Sequence, residues 1–340
     1  MSKRLKINMI SESVFTVQGH GVHTAFLETT QALKSNKAVS VVVNKLRKPA
    51  DITHIQTVGF YALFHLLFGP GKKVVSAHVV PDSFVGSFIG AERWYPIARW
   101  YLRFFYNKAD LLLAVSHMVN DVLLNDLKVK PPITVVYNSI DTSHYKSTRA
   151  QRAAVRKKLK IKPEDFVVMG SGQIQPRKRF GTFIETAKKM PQFKFIWVGG
   201  IPFKQLGADY KELSKLIECA PENVTITGVV DHKKMARYYQ AADVFFFPSV
   251  QETFGLSVVE AAASGLPILV RNISDYDDTF GDLVRKADED EFVAILKKLQ
   301  ADKQFYQDAK KDALKLAQRY DSKKVCQRLC NYYEELLRKD

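Results

Sequence analysis

Cysteine is scarce in this chain: Cys219, Cys326 and Cys330 are the only three in 340 residues. Three thiols cannot build the disulfide framework of a small secreted protein, and a reducing, cytoplasmic setting fits them. Cys326 and Cys330 stand four apart in a helical stretch and share a face, yet no second pair of Cys or His completes a zinc site. Long apolar runs are lacking as well. No stretch reaches the roughly twenty apolar residues of a membrane-spanning helix, and the start, MSKRLKINMISES, reads as a first buried strand rather than a signal peptide. A soluble or peripheral protein is expected. There is no Walker lysine and no legible Ser/His/Asp arrangement, and His20 and His23 lack carboxylate companions.

What the chain has in excess is positive charge, 51 Lys and Arg against 35 Asp and Glu, for a net +16. Such a surplus favours polyanions: nucleic acid, anionic lipid or phosphorylated substrates. Residues 1–150 hold 18 Lys and Arg against 9 Asp and Glu, so the first half is proportionally the more basic. Apolar content of 46% is ordinary for a packed protein, and the length suits two domains better than one.

Short apolar runs alternate with helix-length segments. KINMIS, AVSVVVN, THIQTV, KVVSAHVV, DLLLAVS and ITVVYNS read as strands in the first half. FVVMGSGQ, FKFIWVGG, NVTITGVV, ADVFFFPS and PILVRN repeat the pattern in the second. Several are too continuously apolar to have a solvated face, as buried parallel strands are. Repeated strand–helix–strand units predict an α/β fold of two doubly wound, Rossmann-like domains facing across a cleft. The basic, polar stretch from Asp141 to Lys162 marks the boundary. We therefore expect a first domain over 1–145, a second over 146–320, and a last helix over 321–340 packing back toward the first.

Four places carry chemistry. In PSVQETFGLSVVEAAASGLPILV a strand ends at Pro248, a loop holds Glu252, and Gly255 introduces a helix stopped by Gly265 and Pro267. A helix start of this kind suits a phosphate. Glu260 lies about one turn inside the helix, where it could accept bonds from two ribose hydroxyls. Glu252 must come from the loop, because eight residues at 100° would leave two helical glutamates about 80° apart. Spacing alone is equally compatible with an amphipathic helix bearing one exposed glutamate. In MGSGQIQPRKRFGTFI a strand leads to Arg177, Lys178 and Arg179, three cations able to neutralise a diphosphate or simply a basic surface turn. Gly19 and Gly21 follow the first strand in TVQGHGVHTAFLE, without completing a G-x-G-x-x-G. His78 comes directly after the strand KVVSA, placed to touch a bound sugar or move a proton, or to serve the core.

ERWYPIARWYLRFFYNKAD is different in character. Trp94, Trp100 and Phe104 alternate there with Arg93, Arg99 and Arg103. Aromatics interleaved with cations suit the headgroup boundary of an anionic membrane; the competing reading is a core helix with snorkelling arginines. FYALFHLLFGPGKK adds a second apolar run ending in cations.

Taken in order, the glycine loop, His78, the VYNSID linker ending at Asp141, the GQIQPRK turn and the Glu252/Glu260 pair resemble the retaining GT-B glycosyltransferases of glycosyltransferase family 4. The resemblance covers nearly the whole chain, and E-x7-E followed by E-A-x-A-S-G-x-P is its most specific part. G-Q-x-Q-x-R-K and SAHVVPDSF look most like the bacterial membrane-associated (glycosyl)diacylglycerol glycosyltransferases of glycolipid and lipoteichoic acid anchor synthesis. The resemblance implies a hexosyltransferase that takes glucose or galactose from a UDP-sugar, keeps the anomeric configuration and needs no metal or cofactor. Lys178 with Arg177 would stabilise the leaving diphosphate, and the backbone at Phe254, Gly255 and Leu256 would hold phosphate and sugar. Glu260 would bind the ribose and Glu252 the hexose. Gly19 and Gly21 would close on the diphosphate, and His78 would sit beside the donor sugar. Gln173 stands where many members carry Arg, which leaves the diphosphate charge to Lys178 and Arg177. The acceptor would be a membrane glycolipid such as monoglucosyl-diacylglycerol or diacylglycerol, met by the first domain on the inner face of the cell membrane. A soluble sugar acceptor is the nearest alternative. A non-catalytic nucleic-acid-binding protein is remote, because no recognised module appears and the basic residues are spread over both domains.

Overall fold

The computed structural model describes residues 4–15, 21–83, 91–146, 148–201 and 210–338. The first half runs β1 (Leu5–Ile10), α1 (Gly21–Ser35), β2 (Val39–Val43), β3 (Ile52–Ile55), α2 (Phe60–Phe68), β4 (Lys72–Ala77), α3 (Ala91–Tyr106), β5 (Leu111–Ala114), α4 (His117–Asp121) and β6 (Ile133–Val135). Next come α5 (Arg149–Lys158), β7 (Val167–Ser171), α6 (Phe180–Lys188), β8 (Lys194–Val198), α7 (Tyr210–Glu218), β9 (Val224–Ile226), α8 (His232–Ala241) and β10 (Val244–Phe247). The chain closes with α9 (Leu256–Ala263), β11 (Ile268–Arg271), α10 (Asp275–Thr279), β12 (Arg285–Ala287), α11 (Phe292–Ala301), α12 (Lys303–Arg319) and α13 (Ser322–Arg338).

Among the described residues the strands form two six-stranded sheets, ordered β2-β1-β3-β4-β5-β6 and β12-β11-β10-β7-β8-β9, with every pairing parallel. Parallel neighbours need a crossover, and the helices supply it while covering both faces. That cover is why β7 and β10 are buried at every position rather than at alternate ones. Contacts divide the chain into two compact units. Met1–Val85, Ala91–Asp141 and Tyr320–Asp340 form one, and Thr142–Arg319 the body of the other.

Each unit has its own core. In the first, Ile7, Met9, Ile52, Val74 and Leu113 of the sheet pack with Phe26 and Leu33 of α1 and with Cys326, Leu329, Cys330 and Tyr333 of α13. The last helix therefore belongs to the first unit, and its two cysteines are core thiols, while Cys219 is exposed. In the second, Phe183, Phe195, Trp197, Phe246 and Phe292 form the aromatic centre.

Two elements depart from the sequence reading. The basic boundary stretch contains α5, whose first turn is closed by reciprocal bonds between Thr148 and Gln151. Two of its arginines are anchors: Arg152 pairs with Asp243 at 2.6 Å and donates to Gln240 O at 2.8 Å, and Arg156 approaches Asp243 at 3.7 Å. β12, an edge strand of Arg, Lys and Ala, carries no apolar run to announce it; charge on an edge guards against further pairing. Among the described residues no helix is long and apolar enough to cross a membrane.

Candidate active site

The second sheet reverses its strand order between β7 and β10. The connections leaving such neighbours run to opposite sides, which opens a crevice beyond their carboxyl ends. The turn after β7 and the loop after β10 are thereby brought together. Val250 N–H donates to Arg177 O at 2.9 Å, and Ser249 Oγ lies 3.1 Å from the same oxygen.

Glu252 sits at this junction, only 8% exposed, with Lys178 beside it at 9%. That burial excludes a solvated loop carboxylate. Lys178 Nζ donates to Glu252 Oε1, Ser249 Oγ donates to it at 2.8 Å, and Arg177 approaches it at 3.5 Å. The ammonium also lies 4.7 Å from the centre of the Phe247 ring. Burial pushes the Lys178 ammonium down to about 8, against the opposing pull of Glu252. Burial also works against a charged Glu252, but Lys178 and then Arg177 outweigh it and hold its carboxyl below its ordinary range. Lys178 and Arg177 thus face the Glu252 carboxylate, with Asp275 bonded to the Glu252 backbone beside them. Arg177 Nε and Gln175 Oε1 are buried without a partner among the described residues, which leaves hydrogen-bonding capacity at the same turn.

Gly255 ends the loop in the left-handed region, φ +87°, where a side chain would be strained and a Cβ would crowd the Phe280 ring at 3.0 Å. From there α9 starts, and first-turn N–H groups lack intrahelical acceptors. Glu260, one turn in, is 4% exposed. Its two oxygens are engaged separately: Tyr239 Oη donates to Oε2 at 2.8 Å, and His232 Nε2 lies 3.1 Å from Oε1. Burial and the adjoining Glu260 hold the Tyr239 hydroxyl well above its ordinary range, so it remains a donor. Phe254 and Leu256 are buried, Gln173 is half-buried, and Arg179 is exposed and pairs with Glu289 at 3.5 Å. The sequence reading missed Ser249, Tyr239 and His232. Only Ser249, three residues from Glu252, was close enough to notice.

The other named residues belong to the first unit. Gly21 opens α1, and a Cβ there would meet nothing within 4 Å; Gly19 lies outside the described residues. His78 follows β4, is 6% exposed, and stands 2.8 Å through Nε2 from Gln56 Oε1. In α3 the burial pattern decides against a fully packed helix. Leu102, Phe105 and Tyr106 are buried, whereas Trp94 is 63% and Trp100 67% exposed, with Ile97 and Arg93 exposed alongside. Phe104 stacks on Trp100 with ring centres 5.9 Å apart. Arg103 is exposed, but Arg99 is occupied, reaching Asp126 Oδ1 at 2.7 Å and its carbonyl at 2.6 Å. α2 presents a second outward stripe of Phe60, Phe64, Leu67 and Phe68. Tyr101 of α3 donates to Val58 O, just before α2, at 2.6 Å.

Comparison with known proteins follows the division of the chain. Residues 11–144 match the family described as Glycosyltransferase Family 4, and residues 151–316 match Glycosyl transferases group 1. The chain is 28% identical over 338 residues to an alpha-galactosylglucosyldiacylglycerol synthase of Streptococcus pneumoniae, covering 98% of this chain and 90% of that protein. It is 28% identical over 284 residues to a processive diacylglycerol alpha-glucosyltransferase of Acholeplasma laidlawii, covering 81% of each. Among solved structures, Anabaena Alr3699/HepE in complex with UDP-glucose superposes with a TM-score of 0.76 at 18% identity, over 98% of this chain and 100% of that one. WaaG, a glycosyltransferase involved in lipopolysaccharide biosynthesis, superposes with a TM-score of 0.68 at 15% identity, over 96% and 99%.

Proposed function

We propose that this chain, which belongs to the GT-B glycosyltransferases that join a family 4 domain to a group 1 domain, transfers glucose or galactose from a UDP-sugar to a diacylglycerol-based glycolipid. The observation that carries the donor half is the buried group of Lys178, Arg177 and Glu252 at the strand-order reversal. As the bond from the anomeric carbon to the diphosphate breaks, negative charge grows on the leaving oxygen. Lys178 and Arg177 stabilise it there, in place of a metal ion, and the start of α9 adds its dipole. Glu260 accepts from the ribose hydroxyls, with Tyr239 and His232 steadying its two oxygens. Glu252, bonded on one oxygen, turns toward the hexose. The acceptor hydroxyl attacks with retention at the anomeric carbon.

The acceptor half is supported by the names of the relatives and by the outward aromatic stripes of α2 and α3. Trp94, Trp100 and the phenylalanines of α2 enter the headgroup boundary while Arg93 and Arg103 meet anionic lipid. The enzyme then works as a peripheral protein on the inner face of the cell membrane. A panel of UDP-sugars against diacylglycerol and monoglucosyl-diacylglycerol, with product analysis, tests the whole reading. Glycolipid product is expected; turnover with soluble sugars alone would overturn the lipid acceptor and leave the donor site standing. Sedimentation with vesicles with and without anionic lipid tests the membrane face, and failure to bind at any salt concentration would count against it.

A further inference from the structure

β12, β11, β10 and β7 are successive neighbours in the second sheet, and their pairings are parallel, so their carboxyl ends share one edge. β11 ends on Arg271, opposite Ala287, the last residue of β12, and Glu289 follows two positions later. The loop after β10 offers the Pro248 carbonyl. The turn after β7 offers Arg179 and then Thr182 at the start of α6.

Glu289 gathers these ends. Arg271 Nη2 donates to Glu289 Oε2 at 2.7 Å, and Thr182 Oγ1 donates to Oε1 at 2.9 Å. Arg179 Nη2 stands 3.5 Å from Oε2. Arg271 also donates from Nε to Pro248 O at 2.9 Å, and its guanidinium lies 5.5 Å from the centre of the Phe292 ring. A planar guanidinium can serve a carboxylate and a carbonyl at once. Burial opposes charge on Glu289, but Arg271 and Thr182 outweigh it and hold the carboxyl below its ordinary range.

Pro248 opens the loop that carries Glu252, and Arg179 directly follows Lys178. Arg179 is held at φ +53°, a left-handed backbone that arginine keeps only where its surroundings enforce it. One carboxylate is thus tied through Arg271 to the segment of Glu252, and through Arg179 and Thr182 to the segment of Lys178. An isolated surface ion pair contributes little. Here three donors converge on Glu289, and the Arg271 side chain is only 14% exposed.

We infer that Glu289 and Arg271 are positioning residues, a strut that sets the spacing between Lys178 and Glu252 without touching substrate. The inference rests on the reading of those two residues as the donor centre. With the strut open, the loop drifts and Glu252 supports the Lys178 charge less. Glu252 holds the proton on Lys178 while Arg177 drives it off, and Asp275 bonds the Glu252 backbone from the start of α10. Burial still disfavours the ammonium, so its titration, near 8 with the strut intact, moves to lower pH.

Carbon-13 spectra of the full chain labelled at the lysine ε-carbon follow that titration directly, with Lys178→Arg identifying the signal. Arg271→Met, which keeps an apolar stem over Phe292, and Glu289→Ala are each expected to lower the midpoint by about one pH unit. The double variant should lower it no further, because either change opens the same strut. The alkaline limb of kcat/KM should move with the midpoint, whereas a loss of folded enzyme would scale the profile without moving it. An unmoved or raised midpoint in Glu289→Ala would overturn the inference, as would shifts that add in the double variant. Should Arg271→Met fail to fold, Glu289→Ala decides. Undiminished turnover by Lys178→Ala would remove the reading of the donor centre, while the lysine titration would still judge the strut.

Discussion

The two sheets share a plan but furnish their carboxyl ends differently. Beyond β7 and β10 the second unit gathers Lys178, Arg177 and Glu252, all charged and mostly out of water. Beyond β3 and β4 the first unit gathers Gln56, Ser76 and His78 with a neutral His54 behind them, joined by hydrogen bonds. Charge kept in a low-dielectric setting is costly unless a counter-charge is at hand, and in the second unit Glu252 supplies one to Lys178 and Arg177. The first unit's hydrogen bonds hold these side chains in set directions instead. The outer surface of the first unit carries the third kind of chemistry, the aromatic stripes.

The contrast can be broken most severely at Lys178. Lys178→Ala should cost about 10²–10³-fold in kcat, as loss of a group placed on developing charge does, read as UDP released per unit time. A loss below tenfold would move the leaving-group charge to Arg177 alone. Next in size is the membrane face: Trp94→Ser with Trp100→Ser should weaken vesicle partition roughly 30-fold, for about 2 kcal/mol from two half-inserted rings. Unchanged co-sedimentation would assign that face to something other than lipid. A smaller effect separates the charged end from the neutral one by pH. Lys178 loses its proton as pH rises through about 8, so kcat/KM should fall about tenfold per unit above that. Lys178→Arg should abolish the alkaline limb, since guanidinium stays charged. Glu252 is held below its ordinary range, so it remains ionised through neutral pH and gives no limb there. The smallest change is Tyr239→Phe, which removes one bond to Glu260 and should raise KM for the UDP-sugar about fivefold, for about 1 kcal/mol. No change in KM would mean that the ribose contact does not depend on how Glu260 is held.

Much of the site was legible because its signals are local. Gly255 before an apolar helix, Glu252 in the loop ahead of it, and cations after a continuously apolar strand are read within a dozen residues each. β12 was not legible, because three residues of mixed charge carry no period. α5 was hidden by its composition, since arginines that anchor to Asp243 look the same in sequence as arginines that face water. The roles of Arg99 and Arg103 diverge for the same reason: both flank tryptophans, but only Arg99 finds Asp126. Tyr239 could not be paired with Glu260 across 21 positions by any pattern along the chain.

By itself the sequence determined the alternation of buried strands and helices, the excess of positive charge, and the kinds of residue at each strand end, because these depend on composition and short-range periodicity. Tertiary structure alone decided which of them meet. Lys178 reaches Glu252 across 74 positions and Tyr333 reaches His54 across 279, each through the order in which parallel strands are laid side by side. Burial, and with it the depressed Lys178 ammonium and the neutral His54 ring, exists only once that order excludes water.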